Sequence, residues 1–444
     1  MEMGASSVPP VLLTTPTFNG TLAAVRCLGQ RGIPVTIAGD TPFAPARWSR
    51  YATRSVSCPS PFEPERFMDW LVAFGKREPG HVLYPSCDDL AWLFAHHANE
   101  LSPYFRLYQP PAATVLELLD KKSLSLRCAE VGVPNPRTLF PGNVEEARVL
   151  AEQVGFPLIM KPRTQILLRT RKKGHIVEDR NEFSERYSEF VADNMPHRLA
   201  RAVMPDVEHP MLQSLVPDAA GATYSLSGFI SRDRRHTVVR AAMKVLQRPR
   251  RVGVGVCFED VEVDETALSG VMRLCEAVGY FGVFEAEFLP NQGTLELVDF
   301  NPRFYGQMGF EAARELDLPY LVWLGAVGES GKLAEAMSHA SQWESGRGYV
   351  YCDRFYLATL LFLQGLSGRM STAERTRWRE WLDAPTQHSR AFDAIDSPGD
   401  PWPAVVSKLR EIGTAARHPR AFFRKVIVGA GALAEFSREL PALL

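Results

Sequence analysis

The sequence FEAEFLPNQGTLELVDFNPRFYG, residues 284–306, contains the most informative pattern of this 444-residue chain. Polar and apolar residues alternate on both sides of the turn residues Pro290-Asn291-Gln292-Gly293, and this pattern predicts a β-hairpin. Because successive side chains of a strand point to opposite faces, Glu285 and Glu287 are expected to share one face of the first strand.

The second strand of the hairpin has further oxygen-bearing side chains at alternate positions. The alternation predicts that Asp299 and Asn301 share a face with Leu295 and Leu297. Carboxylates on a core-facing surface are costly unless they are compensated, and a divalent cation such as Mg²⁺ would compensate them. Arg303 follows closely and could bind a phosphate group during its transfer. The alternative is an edge hairpin whose acids face water.

The set Glu287, Asp299, Asn301 and Arg303 resembles the E…(E/D)-x-N-x-R signature of the ATP-grasp enzymes. Asp299 lies 12 residues after Glu287, a spacing that resembles that of the biotin carboxylase branch. The resemblance implies that the two acids and Asn301 hold Mg²⁺, with Mn²⁺ as an alternative, against the phosphates of ATP. Because neighbouring carboxylates repel each other, removal of either acid is expected to stabilise the metal-free protein.

Two lysines extend the resemblance. Asp120-Lys121 precedes a predicted helix and the tripeptide GVP (132–134), and the matching family segment implies that Lys121 reaches an ATP phosphate. Lys161 ends the apolar strand in GFPLIMKP (155–162), where a charged lysine needs an anion. The matching family lysine contacts the α- and β-phosphates. A solvated surface lysine is the alternative for Lys121.

The segment MLQSLV, residues 211–216, resembles the hinge strand that binds adenine in this family. The resemblance implies that Gln213, Ser214, Leu215 and Val216 contact the nucleotide.

Basic residues between these motifs are further candidates. A substrate carboxylate or the γ-phosphate is expected to bind to Arg240, Lys244 and Arg251. The predicted catalytic residues are Arg303, Lys244 and Arg240. ATP-grasp enzymes usually have a glycine-rich flap after the Lys161 strand. This chain has the basic sequence RTQILLRTRKKG (163–174) there, which either replaces the flap or forms a solvated hairpin tip.

Composition excludes several functional classes. The net charge of −1 does not suggest nucleic-acid binding. The 7 cysteines are scattered, which predicts neither a zinc site nor a disulfide framework and suits a reducing cytoplasm. The N-terminus lacks the features of a signal peptide. The longest late apolar run, residues 426–434, is much shorter than the about twenty residues that span a bilayer.

Length predicts two to four domains. The resemblance to the ATP-grasp enzymes implies an N-terminal domain and two lobes, and the remaining residues are expected to form a C-terminal extension. Strand–helix–strand patterning in residues 11–38 predicts a parallel sheet, although the first turn lacks a G-x-G-x-x-G phosphate loop. The predicted fold is α/β, with α+β catalytic lobes. It comprises a Rossmann-like domain (1–112), a small ATP-grasp lobe (113–210), a large lobe with the metal site (211–330) and a mostly helical extension (331–444). Ser86 or Asp88 is predicted to cap the helix that follows, and a substrate role for Asp88 or Asp89 is the alternative.

The N-terminal and hinge features most resemble the predicted carboxylate–amine ligases of the ATP-grasp superfamily. The resemblance implies a cytoplasmic enzyme that uses ATP and Mg²⁺ to form an acyl phosphate and joins it to an amine. The expected substrates are a small-molecule carboxylate and an amine, such as an amino acid or a peptide. No nucleic-acid partner and no membrane span are expected, and the chain could form a homodimer. A carboxylase-like or kinase-like ATP-grasp enzyme and a non-catalytic ATP-binding scaffold or sensor are the alternatives.

Overall fold

The computed structural model describes residues 8–168, 174–216, 223–248, 254–368, 370–383 and 391–423. These residues form three β-sheets of five, four and seven strands, with helices packed on them. The predicted fold class is therefore confirmed. Within the described residues, we find no helix that is both long and apolar enough to cross a membrane.

The N-terminal unit alternates short apolar strands with helices. Its elements are β1 (Val11–Leu13), α1 (Asn19–Gln30), β2 (Val35–Ala38), a 3-10 helix (Pro45–Trp48), β3 (Arg54–Val56), α2 (Pro64–Arg77), β4 (His81–Leu83), α3 (Asp88–His96), α4 (Ala98–Leu101) and β5 (Phe105–Leu107). The strands are parallel in the order β3-β2-β1-β4-β5. The sheet grows in opposite directions from β1 and β4, and a crevice at such a switch point is the usual ligand site of a parallel sheet.

The small lobe follows with an antiparallel sheet in the order β6-β9-β7-β8. Its elements are α5 (Ala112–Leu119), α6 (Lys121–Val131), β6 (Thr138–Leu139), α7 (Val144–Val154), β7 (Leu158–Lys161), β8 (His175–Val177), α8 (Arg180–Asp193), α9 (Arg198–Val203) and β9 (Met211–Ser214). The apolar face of the sheet packs on α7 and α8. The central pair β7–β9 places Lys161 and Gln213 on neighbouring strands.

The large lobe contains the seven-stranded sheet, in the order β14-β13-β10-β11-β12-β15-β16. Its first elements are β10 (Thr223–Ile230), β11 (Thr237–Arg248), β12 (Val254–Val261), α10 (Glu265–Val278), β13 (Gly282–Asn291), β14 (Thr294–Asn301), α11 (Met308–Ala313), α12 (Leu318–Val327) and α13 (Ser330–Ser341). Helix α10 packs Val271 and Leu274 against Phe284 and Phe288 of β13. One face of the β13–β14 hairpin is therefore core, and the other is available for a site.

The C-terminal extension completes this sheet as well as adding helices. Its elements are β15 (Val350–Cys352), α14 (Arg354–Leu366), α15 (Thr372–Asp383), β16 (Ala391–Asp393), α16 (Trp402–Arg417) and α17 (Pro419–Phe423). Strand β15 pairs with β12, and β16 pairs with β15. The extension is thus continuous with the large lobe through its strands, in addition to the predicted helices.

The β13–β14 hairpin has a two-residue turn and a bulge. Gln292 and Gly293 both have positive φ, 47° and 81°, as tight hairpin turns require. Between the Glu287–Asp299 and Phe288–Leu297 pairs, β14 contains one extra residue, Val298. The bulge moves Leu297 to the core face with Phe288, while Asp299 stays opposite Glu287. The prediction that Asp299 and Asn301 share a face with Leu295 and Leu297 is therefore wrong.

Candidate active site

Four oxygen-bearing side chains form two adjacent rungs on the outer face of the hairpin. Glu287 lies opposite Asp299, and Glu285 lies opposite Asn301. The side chains of Glu287 and Asp299 are 23% and 40% exposed, whereas Glu285 and Asn301 are buried at 3% and 8%. A ligand can therefore reach the Glu287–Asp299 rung, and the Glu285–Asn301 rung supports it from below.

Each acid of the exposed rung is paired with a predicted phosphate-binding lysine. Lys121 donates to Asp299 at 2.6 Å across the interface between lobes, and Lys244 donates to Glu287 at 2.9 Å from β11. Burial alone would lower the pKa of Lys244, but the nearby carboxylates, with Glu287 the strongest of them, together raise that pKa. The structure thus brings together two predicted cations and two predicted metal ligands.

Lys121 is positioned by its neighbour in sequence, Asp120. The Asp120 carboxylate caps α6 by accepting from the backbone of Lys122 and Ser123, and it also accepts two hydrogen bonds from Arg163. The backbone N–H of Lys121 donates to the carbonyl oxygen of Arg163 at 3.0 Å. Although burial opposes the charged form of Asp120, the Arg163 guanidinium lowers its pKa. These contacts fix the start of α6 beside Asp299.

Glu285 connects the lower rung to the sheet. It accepts hydrogen bonds from Ser225 at 2.9 Å, from Asn301 at 3.1 Å, and from Gln307. Burial, together with the nearby Glu287 charge, raises the pKa of Glu285 to about 8. The Asn301 Nδ2–Glu285 contact orients the amide so that its Oδ1 atom faces Arg303 on the other side. The alternation of Glu285 with Glu287 was the sequence signal for this residue.

Arg303 joins the hairpin to the N-terminal unit. Its guanidinium donates to Asn301 Oδ1 at 2.7 Å and to Asp88 at the start of α3. Burial would lower the pKa of Arg303, but the nearby acidic groups, with Asp88 the strongest of them, together raise that pKa. Asp88 therefore lies in the candidate site, whereas Asp89 accepts a hydrogen bond from the backbone of Leu167 at 2.5 Å and connects the small lobe to α3.

Lys161 lies at the end of β7 and, among the described residues, has no salt bridge like those of Lys121 and Lys244. Its ammonium group donates to Gln213 Oε1 at 3.0 Å, and Gln213 Nε2 donates to Thr138 at 2.9 Å. Burial and the nearby Lys121 charge lower the pKa of Lys161 to about 8. Ser214 is the last residue of β9, the strand that contains Gln213, and Leu215 and Val216 follow it. Val216 is buried, with 8% of its surface exposed. The predicted adenine and phosphate residues are thus neighbours.

Arg240 shares the sheet face of Lys244 but has other partners. Its guanidinium donates to the carbonyl oxygens of Val239, Arg314 and Ala340, at 2.8, 3.0 and 2.8 Å. Burial lowers its pKa to about 10. These contacts favour a structural role, and the predicted catalytic role of Arg240 has the weakest geometric support of the set.

The first half of the predicted basic flap is buried. Ile166 and Leu167 are 0% and 3% exposed and pack into the apolar core of the N-terminal unit, because the N-terminal unit and the small lobe meet there. Arg163 points to Asp120, as described above. The basic part of the flap, residues 169–173, and Arg251 lie outside the described residues.

The predicted metal ligands form an oxygen-only set. Glu287, Asp299 and Asn301 provide carboxylate and amide oxygens, the ligands that Mg²⁺ and Mn²⁺ prefer. The described part of the chain has no cluster of three or more His, Cys, Asp and Glu side chains arranged for a metal. With only three protein ligands, a bound cation would keep coordination positions free for phosphate oxygens. The metal site at Glu287, Asp299 and Asn301 stays a prediction.

The chain is similar in sequence to a ligase and in fold to biotin carboxylases. No protein-family model matches the chain. The chain is 23% identical over 279 residues to the D-aspartate ligase of Enterococcus faecium (strain Aus0004), and the match covers 59% of this chain and 63% of that protein. The chain therefore matches less than two thirds of the length of this curated relative.

Solved structures with the same fold include two biotin carboxylases. One is a biotin carboxylase–β,γ-ATP complex from Campylobacter jejuni, with a TM-score of 0.58 and 15% identity over 72% of this chain and 71% of that chain. The other is the biotin carboxylase domain dimer of the Hydrogenobacter thermophilus 2-oxoglutarate carboxylase with MgADP, ADP and bicarbonate. Its TM-score is 0.59, at 15% identity over 72% of this chain and 70% of that chain. The chain therefore has the ATP-grasp fold, and it resembles the carboxylate–amine ligases that share this fold.

Proposed function

We propose that this protein is an ATP-dependent ligase that activates a substrate carboxylate as an acyl phosphate and joins it to an amine. The observation that carries the proposal is the pairing of Lys121 with Asp299 and of Lys244 with Glu287. A nucleotide with its metal ion has a cation for the acid of each pair and phosphate oxygens for the lysine of each pair. The acids would bind the cation, and the lysines would bind the phosphates.

The charges of the site suit Mg-ATP. The site contains four cations, Lys121, Lys161, Lys244 and Arg303, and the carboxylates Glu287, Asp299 and Asp88. The fourth acid, Glu285, has its pKa raised to about 8 and is therefore left out of this balance. The site therefore has a positive balance towards an anionic ligand. The bound cation would neutralise phosphate oxygens during transfer. The ATP complex of the first biotin carboxylase and the MgADP complex of the second support ATP and Mg²⁺ as ligands. The second structure is a dimer, which leaves a homodimer open.

The proposed reaction has two steps. A carboxylate oxygen of the substrate attacks the γ-phosphorus of ATP, while the bond between the γ-phosphorus and the oxygen that leaves with ADP breaks. Lys244 and Arg303 would stabilise the phosphoryl group during this transfer. An amine nitrogen then attacks the acyl carbon, the bond from carbon to the phosphate oxygen breaks, and the amine loses a proton. Gln213, Ser214, Leu215 and Val216 would hold the base, while Lys121 and Lys161 would hold the phosphates.

The position of Arg303 suggests where the substrate binds. Its contact with Asp88 brings the phosphate end of the site to the carboxyl ends of β1 and β4. This crevice at the switch point of the parallel sheet is suited to a small polar substrate. An amino acid or a peptide fits the reaction, and the name of the D-aspartate ligase relative makes D-aspartate the first candidate.

Phosphate release tests the proposal. The protein is incubated with Mg-ATP and pooled carboxylic acids and amines, with D-aspartate in one pool, and inorganic phosphate and ADP are measured. We expect phosphate release that needs a carboxylate and an amine together and that Glu287→Gln abolishes. Release that needs only a carboxylate and bicarbonate would support a carboxylase. ATP binding without release in any pool would support the non-catalytic scaffold.

A further inference from the structure

The last long helix, α16, exposes an apolar stripe. Trp402, Val405, Leu409 and Ile412 are 58%, 41%, 58% and 58% exposed. Their spacing of three, four and three residues places them along one side of the helix. The opposite side of α16 supplies the packing, because Pro403, Ala404 and Val406 are buried. The stripe is therefore not needed to attach α16 to the protein.

Helix α14 exposes a second stripe beside the first. Phe355, Phe362 and Leu366 are 37%, 64% and 72% exposed, while the other side of α14 is part of an apolar core. The ammonium group of Lys408 lies 5.8 Å from the ring centroid of Phe355, so α14 and α16 are neighbours. Exposed apolar surfaces formed by several large side chains mark sites for a partner protein or a membrane.

Within α14, α16 and α17, the charged residues are mostly positive. Helices α14, α16 and α17 contain five basic residues, Arg354, Lys408, Arg410, Arg417 and Arg420, and one acid, Glu411. At about 100° per residue, Lys408 and Arg417 flank the stripe of α16 on either side, and Glu411 lies on the far side. Lys408 also has an acidic neighbour, Asp396, at 3.6 Å.

We propose that the exposed faces of α14 and α16 dock on an anionic lipid surface. Apolar side chains with tryptophan and phenylalanine among them, flanked by arginine and lysine, are the features of helices that lie in the plane of a membrane interface. The apolar stripes enter the boundary between headgroups and acyl chains, and the flanking cations bind acidic headgroups. A second copy of the chain fits less well, because its like-charged helices would repel each other.

Vesicle sedimentation with the full chain tests this inference. The vesicles contain phosphatidylcholine alone or phosphatidylcholine mixed with phosphatidylglycerol. We expect the protein to sediment with the anionic vesicles and to be released by added salt. Leu409→Glu and Phe362→Glu should each lower the partition coefficient about tenfold, because each replaces an inserted apolar group. The matched control is Val149→Glu on α7, which is 60% exposed outside the stripes and should bind vesicles normally.

The outcomes are separable. Thermal melting first establishes that the three variants are folded like the parent. No sedimentation with anionic vesicles, or sedimentation that Leu409→Glu and Phe362→Glu leave unchanged, would overturn the inference. A dimer by light scattering that Leu409→Glu dissociates, in the absence of vesicle binding, would overturn it in favour of an interface between two copies. Phosphate release plays no part in this test, so its result is independent of the proposed activity.

Discussion

The ammonium group of Lys244 lies 2.9 Å from Oε1 of Glu287, and the lysine side chain is only 6% exposed. A buried cation is thus paired with an acid that is predicted to bind metal. Repulsion among the carboxylates alone would make removal of this acid stabilise the metal-free protein, as expected from the sequence. The structure reverses the expected sign, because the loss of Glu287 leaves Lys244 buried without its carboxylate partner.

Glu287→Gln should therefore destabilise the metal-free protein, by about 1–2 kcal/mol, since part of the pair is solvated. Chemical denaturation without metal measures the change. The double variant Lys244→Met/Glu287→Gln should lose less stability than the sum of the single variants, because it removes both charges. Additive losses would show that the pair has no energetic coupling.

Lys161 should take up a proton when ATP binds. Its pKa in the free protein is about 8, because of burial and Lys121, and phosphate charges would raise it. At pH about 8.5, calorimetry in buffers of different ionisation enthalpy should show uptake of a fraction of a proton. Lys161→Met should bind more weakly and take up none. Equal uptake by the variant would assign the proton to another group.

Glu285 should make the protein less stable as the pH rises. The folded protein holds a proton on Glu285 up to a pKa of about 8, whereas the unfolded chain releases it near the ordinary value of 4.5. The free energy of unfolding therefore falls between these pH values. Glu285→Gln removes this loss, so its stability relative to the parent should increase from pH about 5 to pH about 8, on the order of 1–3 kcal/mol.

Urea denaturation at both pH values measures the Glu285 effect. Glu145→Gln on the exposed side of α7 is the matched control and should show no such increase. A Glu285→Gln variant whose relative stability is the same at both pH values would contradict a protonated Glu285.

Arg303→Lys should affect turnover more than ATP affinity. A lysine keeps the charge but loses the fork that contacts Asn301 and Asp88 together. We expect kcat to fall about 100-fold or more, with a much smaller change in the Kd for Mg-ATP. Single-turnover ADP formation and calorimetry measure the two quantities. A parallel loss of both would assign Arg303 to ground-state nucleotide binding.

The sequence pattern predicted the parts of the site that follow simple periodicity. The alternation in residues 284–306 indicated the hairpin and assigned Glu287 and Asp299 to its two strands, which pair these residues in the structure. The bulge at Val298 was not predictable, because one inserted residue leaves the period of two intact on both sides. It is this residue that reverses the predicted face of Leu297.

Contacts between segments that are distant in sequence could not be predicted either. Asp88 and Arg303 are 215 residues apart, and only the docking of the N-terminal unit on the large lobe brings them together. The burial of Ile166 and Leu167 in the core of another unit has the same origin. Strands β15 and β16 have three residues each, too few to show a periodic pattern.

Calorimetric titration with ATP in the presence and absence of Mg²⁺ tests the central claim most directly. Three proteins are compared: the parent, Lys161→Met, and Lys122→Met as a control one residue from Lys121. We predict that the parent and Lys122→Met bind Mg-ATP equally, that omission of Mg²⁺ weakens binding, and that Lys161→Met weakens it by about tenfold or more. Absence of binding by the parent, or equal binding by all three proteins with and without Mg²⁺, would contradict the assignment of this site to Mg-ATP.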